Sequence, residues 1–166
     1  MAIEYTTDSI FDTGADILVC PVNCKGVMGK GLALEFKRRF HEAEDQCKWF
    51  LSAGMLGPGR VGLSSQVPHG AGFVAILFAA TKDHWRNPSK LEWVDSILDS
   101  IARFFPRALS QSIALPALGC GLGGLQWDNV RPLIERHLSL VSESGKRVIV
   151  CLPQSETTGN FLARTA

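Results

Sequence analysis

Residues 17–40 read ILVCPVNCKGVMGKGLALEFKRRF, and their order decides the fold class. The first six, Ile17 to Val22, form a continuous apolar run of the length of a short buried strand. From Leu32 to Phe40, the apolar positions 32, 33, 36 and 40 recur at helical spacing. Between the two lie Gly26, Gly29 and Gly31. Glycine gives up more conformational freedom on folding than any other residue, so three in a short span need a reason. A strand-to-helix turn offers two: a tight turn that needs positive φ, or bare N–H groups at a helix N-terminus that meet an anion, usually a phosphate. The spacing matches neither the G-x-x-x-x-G-K-[ST] of a P-loop nor the G-x-G-x-x-G of a dinucleotide fold. On this stretch alone both readings stand.

A second turn of the same kind lies further along. The run Ser112 to Leu115 reads as a strand and leads through Pro116-Ala117-Leu118 into Gly119-Cys120-Gly121-Leu122-Gly123-Gly124-Leu125-Gln126-Trp127 and a helical pattern. Two glycine turns at strand ends, each opening a helix, suit a diphosphate held from two sides. Other strand-like runs are Ile3–Tyr5, Val61–Ser64, Phe73–Ala79 and Arg147–Leu152, and helical patterns cover 31–40 and 42–53. Ser89-Lys90-Leu91-Glu92 has the form of a capping box after Pro88, and Leu91, Val94, Leu98, Ile101 and Phe105 then step by three and four. A last helix from Trp127 to Ser144 carries Val130, Ile134, Leu138 and Val141 on one face and stops at Gly145, a natural residue to follow a helix end. Strands alternating with helices predict an α/β layered domain whose site lies at the carboxyl ends of its strands.

A chain of 166 residues suits one domain, long enough to bury about two thirds of its unfolded surface. With 46% hydrophobic and 20% charged residues its composition is that of a globular protein, and no segment approaches the apolar length of a membrane helix. The start, MAIEYTTDSIF, has no basic region of the kind that opens a secretory signal, so a cytoplasmic location is expected. Cys20, Cys24, Cys47, Cys120 and Cys151 form no C-x-x-C pair, and with four scattered histidines they predict reduced thiols and no metal site. A net charge of +1 argues against a protein that holds nucleic acid mainly by counterion release, while leaving room for a small site that accepts one modified nucleotide. The basic run Lys37-Arg38-Arg39 reads as a solvated helix face.

Pro21-Val22-Asn23, Val27-Met28-Gly29-Lys30-Gly31-Leu32-Ala33, Phe36-Lys37, Thr81-Lys82-Asp83-His84-Trp85-Arg86 and the second glycine run together resemble a macrodomain. More narrowly, they resemble the macrodomain of the DarG antitoxins, related to the terminal ADP-ribose protein glycohydrolase. The resemblance spans about Tyr5 to Pro153. It implies a three-layer α/β/α fold around a mixed sheet of about six strands, over residues 1–153, with 154–166 as a polar tail. It also implies ADP-ribose as ligand and no cofactor. Asp8 would meet the adenine amino group, with Ile10 beside it. Met28, Gly29, Lys30, Gly31 and Leu32, and Gly119, Cys120, Gly121, Leu122, Gly123 and Gly124, would surround the ribose and diphosphate. Asn23 and Lys82 would stand at the distal ribose as catalytic residues, and His84, Trp85 and Arg86 would contact nucleic acid.

The implied reaction removes ADP-ribose from thymidine in single-stranded DNA, in an antitoxin whose partner is a DarT-type toxin. From the residues alone, Asn23 also suits a loop-tying amide, Lys82 a solvated strand end, and His84 a structural histidine. Protein-directed relatives carry an aspartate where this chain has Gly123, so hydrolysis of carboxylate-linked ADP-ribose is not expected. Two rival readings share the glycine loops: an ADP-ribose-binding module without catalysis, and an ADP-ribose-1″-phosphate phosphatase.

Overall fold

A computed structural model describes residues 2–153; the tail 154–166 lies outside the described residues. Six strands form one sheet: β1 (Glu4–Thr6), β2 (Ile17–Asn23), β3 (Val61–His69), β4 (Gly72–Lys82), β5 (Ser112–Pro116) and β6 (Arg147–Cys151). Their spatial order is β1-β6-β5-β2-β4-β3, all parallel except β3, which runs antiparallel to β4. The described residues also form four α-helices, α1 (Gly31–Arg39), α2 (Ala43–Ser52), α3 (Leu91–Phe104) and α4 (Trp127–Glu143), and two short 3-10 turns at Ile10–Asp12 and Phe105–Arg107.

Period-two alternation along the strands divides the core in two. Ile17 and Val19 of β2 and Ala75, Leu77 and Ala79 of β4 face α3 and α4, where Val94, Leu98, Ile101, Trp127, Val130 and Ile134 are buried. Leu18, Cys20 and Val22 of β2 and Ile76, Phe78 and Ala80 of β4 face α1 and α2, where Phe36, Cys47 and Phe50 are buried. The result is the expected α/β/α sandwich, in which the central strands are apolar on both faces because helices cover both.

The chain leaves β2 for α1 on one face and β5 for α4 on the other. β2 and β5 are neighbours whose connections therefore diverge, the position at which open α/β sheets hold ligands. Their ladder is short. It joins Ile17 to Ile113 and Leu18 to Ala114, and beyond Leu18 β2 pairs with β4 alone. Pro21, which has no N–H to give, lies on the part of β2 that has left β5.

Three details depart from the expectation. β3 runs on to His69 through Ser65, Gln66 and Pro68, and turns at Gly70 into β4 as a hairpin. A polar stretch with a proline is tolerable because β3 is an edge strand, and a register shift between Leu63 and Gln66 is bridged by Ser64 Oγ, which accepts from Ile76 N at 2.8 Å. β4 continues past Ala79 so that Lys82 is its last residue. Ser89 does not cap α3: the residue at the N-cap is Lys90 without a side-chain bond, and the Ser89 side chain is buried against the second glycine loop. Gly145, by contrast, follows the end of α4 with φ of 99°, as its position predicts.

Phe36 fixes α1, and with it the first glycine turn, on the sheet: it is fully buried, 4.8 Å from the Phe11 ring and 6.0 Å from Phe40. Truncating such a side chain leaves a cavity that a packed core cannot close. Phe36→Ala is expected to cost about 3–5 kcal/mol of stability, measured by urea denaturation.

Candidate active site

The parallel strands end on one side of the sheet and bring Asp8 after β1, Asn23 at the end of β2, Lys82 at the end of β4 and the second glycine run after β5 to the same rim. β1 and β4 are four inter-strand steps apart, roughly 19 Å at about 4.8 Å each. The rim therefore suits an elongated ligand. Asp8 is exposed, its backbone N–H donating to Thr6 Oγ1 at 3.1 Å. Nearby Cys151 has its thiol pushed up to about 12, first by burial and then by the Asp8 charge. Ile10 is buried beneath this end.

Asn23 shapes the first loop. Its Nδ2 donates to Val27 O at 2.8 Å, and its Oδ1 accepts from the N–H groups of Lys25 and Val27 at 3.0 and 3.3 Å. Those bonds consume the amide oxygen and one of two amide protons, leaving one proton for another acceptor. Met28 is fully buried and anchors the loop in the core, whereas Gly29, Lys30 and Gly31 are exposed and Leu32 is half-buried. α1 starts with Lys30 at its N-cap and no side-chain cap, so its first N–H groups are not taken by a side chain. Gly29 has neither a positive φ nor a close neighbour that would forbid a side chain. Its bareness serves access to the backbone rather than the turn.

The second loop meets the first: a methyl built on Gly31 would lie 3.4 Å from Leu122 Cδ1. Gly119 and Gly124 have φ of 74° and 77°, which a turn demands, while Gly121, exposed and free of close neighbours, again needs no glycine for packing. Gly123 differs. It is buried, and a Cβ there would sit 2.5 Å from Gly119 O and closer still to Ser89 Oγ. Ser89 N donates to Gly123 O at 3.0 Å, and its buried hydroxyl has no hydrogen-bond partner among the described residues. Burial pushes the Cys120 thiol up to about 12, which disfavours its thiolate form.

Lys82 joins this loop to β4. Its Nζ donates to Leu122 O at 3.1 Å and to Trp85 O at 3.3 Å, which leaves one N–H of the ammonium unassigned. Lys82 is the register partner of Asn23 on the neighbouring strand, and no carboxylate forms an ion pair with it among the described residues. Beyond it, Asp83 builds the next turn, accepting from His84 N at 2.7 Å and from Asn87 Nδ2 at 3.2 Å. Those bonds present a stack: His84 and Trp85 ring centroids are 5.1 Å apart, and the Arg86 guanidinium lies 4.6 Å from the centre of the Trp85 ring, which is 45% exposed.

Residues 19–134 match the Macro domain family. The chain is a macrodomain of the DarG type. A DNA ADP-ribosyl glycohydrolase of Mycobacterium tuberculosis is 39% identical over 134 residues, covering 77% of this chain and 36% of that protein. The macrodomain of Mycobacterium tuberculosis DarG superposes with a TM-score of 0.77 at 35% identity, over 92% of this chain and 98% of that one. Thermosipho africanus DarTG in complex with ADP-ribose gives a TM-score of 0.80 at 30% identity, over 93% of this chain and 44% of that one. The chain thus spans a little over a third of the length of the curated relatives it matches.

In this macrodomain the sequence reading brought both glycine loops, Asn23, Lys82 and the 84–86 segment to one rim, and missed Ser89 and Asp83. An S-x-x-E pattern before an apolar stripe pointed Ser89 to the wrong task, and only the packing of Gly123 reveals the right one. Asp83 carries a signal, since aspartate at the start of a turn commonly bonds the backbone that follows. Gly123→Ala is expected to destabilise the macrodomain by about 1–3 kcal/mol through overpacking, seen as a lowered melting temperature, whereas Gly121→Ala leaves the melting temperature of the ligand-free protein unchanged.

Proposed function

We propose that this macrodomain is a glycohydrolase that removes ADP-ribose from thymidine in single-stranded DNA, with residues 1–153 as the catalytic domain. The observation that carries the reading is Lys82, a cation with no paired carboxylate among the described residues, set beside Asn23 where the two glycine loops meet at the switch point of the sheet. The Mycobacterium tuberculosis and Thermus aquaticus relatives, both DNA ADP-ribosyl glycohydrolases, support it.

Adenine sits toward Asp8, and the diphosphate lies between the uncapped start of α1 and the loop 119–124, where bare N–H groups and the helix dipole favour negative charge. This places the distal ribose at Asn23 and Lys82. In the reaction the bond from C1″ to the base nitrogen breaks, the base takes the electron pair and a proton, and water adds its oxygen to C1″. Positive charge builds on the ribose and negative charge on the leaving base. The Lys82 ammonium, held as a donor by two carbonyls, stabilises the leaving base. Asn23 holds the loop that fixes the ribose, which is a positioning contribution. Trp85 and Arg86 offer planes on which bases stack, and His84 supports Trp85.

Gly123 separates this reading from hydrolysis of carboxylate-linked ADP-ribose, because Ser89 and Gly119 O fill the space a loop carboxylate needs. A DNA substrate supports a cytoplasmic location for the protein, with a DarT-type toxin as its counterpart. A Thermosipho africanus relative, a DNA ADP-ribosyl transferase-DNA ADP-ribosyl glycohydrolase fusion protein, supports that pairing.

Two experiments test the reading. Lys82→Ala is expected to lower kcat for release of ADP-ribose from thymidine-linked DNA by about 10²–10³-fold, with ADP-ribose affinity by calorimetry little changed. Lys82→Arg keeps the charge and retains measurable turnover; wild-type turnover by the Ala variant would show a water-driven reaction that does not use Lys82, and no turnover by the wild type would show a binding module. Gly121→Ala, neutral for stability, is expected to weaken ADP-ribose binding by putting a methyl where the diphosphate meets the backbone.

A further inference from the structure

The direction of the ligand across the sheet decides where the DNA must go. With adenine near β1 and the scissile bond at β4, the attached base and its strand leave over the far end of β4, toward β3 and the start of α3. That flank carries more than the 84–86 stack. Lys90, at the N-cap of α3, holds its Nζ 4.9 Å from the centre of the Trp93 ring. The loop before β3 closes against the same indole: a Cβ on Gly59 would lie 3.3 Å from both Trp93 Cα and Trp93 Cδ1. Gly59 N donates to Ala80 O at 2.9 Å and Arg60 O accepts from Ala80 N at 3.1 Å, so Trp93 and Arg60 sit beside a strand position two residues short of Lys82.

Arg60 and Lys90 are exposed and Trp93 is half-buried; Arg60 Nη1 donates to Gly54 O at 3.1 Å, a bond that uses one of the five guanidinium N–H groups. Aromatic planes interleaved with cations are what a single-stranded nucleic acid needs, one for bases and the other for phosphates. The carboxylates on this flank are Asp83 and Glu92. Asp83 is already engaged by Asn87 and His84 N, and Glu92 lies in the first turn of α3.

The geometry points to a second binding site on this flank, formed by Lys90, Trp93 and Arg60, that holds unmodified nucleotides of single-stranded DNA next to the ADP-ribosylated one. This inference rests on the hydrolase reading for the direction of the strand. The site would let the enzyme hold its substrate by the strand as well as by the ADP-ribose, in a protein whose net charge of +1 gives no general attraction to DNA.

The test uses fluorescence anisotropy with an unmodified, labelled oligothymidylate, in parallel with turnover of ADP-ribosylated thymidine as a mononucleoside. Trp93→Leu, which keeps the bulk that Gly59 packs on, is expected to weaken oligonucleotide binding about tenfold. Lys90→Ala combined with Arg60→Ala is expected to reduce the slope of log K against log salt by about 1.4, at about 0.7 for each phosphate of a single strand that is no longer neutralised. Both variants should hydrolyse the mononucleoside at the wild-type rate and keep the thermal shift given by ADP-ribose, which shows that they are folded. Oligonucleotide binding equal to wild type in both variants, or no binding by the wild type, would overturn the DNA site and leave the flank to a protein partner. Failure of the wild type to turn over ADP-ribosylated thymidine both as the mononucleoside and within single-stranded DNA would overturn the hydrolase reading instead, and the binding arm would still decide whether this flank holds DNA.

Discussion

The parting of β2 from β5 is the constraint on which the rest of the structure depends. Two register pairs join them, at Ile17 with Ile113 and Leu18 with Ala114, after which β2 keeps only β4 as a partner. Backbone groups freed from a ladder must find other partners or face solvent. Here the freed end of β2 includes Pro21, which has no donor to satisfy, and Asn23, whose side chain bonds the turn that follows. Both residues suit a strand end that has lost one neighbour. The opening between the two strands places two glycine loops opposite each other.

Those loops use glycine for different physical reasons. At Gly31, Gly119 and Gly124 the backbone adopts positive φ, where a Cβ is strained. At Gly29 and Gly121 neither φ nor packing forbids a side chain, so the absence of one keeps the backbone open to a ligand. At Gly123 the cause is packing from within, because Ser89 and Gly119 O occupy the volume. The bond from Ser89 N to Gly123 O and the bond from Lys82 Nζ to Leu122 O tie this loop to the segment 82–89. The loop 119–124 and the segment 82–89 are therefore joined directly, through backbone and side chain.

Charge in this protein is local. The ion pairs of the described residues, such as Arg147 with Glu4 and Arg131 with Glu135, lie outside the cleft on exposed or half-exposed side chains, where each is worth little. Among the described residues Lys82 has no such partner.

The sequence by itself determined the layered α/β class, the helices, five of the six strands to within a few residues, and the two glycine turns, because each of these is set by local periodicity and by the special backbone of glycine. It also brought Asn23, Lys82 and His84 to Arg86 under one resemblance. Only the tertiary structure decided that Lys82 ends β4 in register with Asn23, that Asn23 spends its amide on the loop, that Ser89 fills the space beside Gly123, and that Trp93, Lys90 and Arg60 continue the same rim. The reason is physical. Each of these rests on how segments distant in the chain pack together or on which neighbour a strand keeps, and neither hydrophobic period nor turn chemistry carries that information.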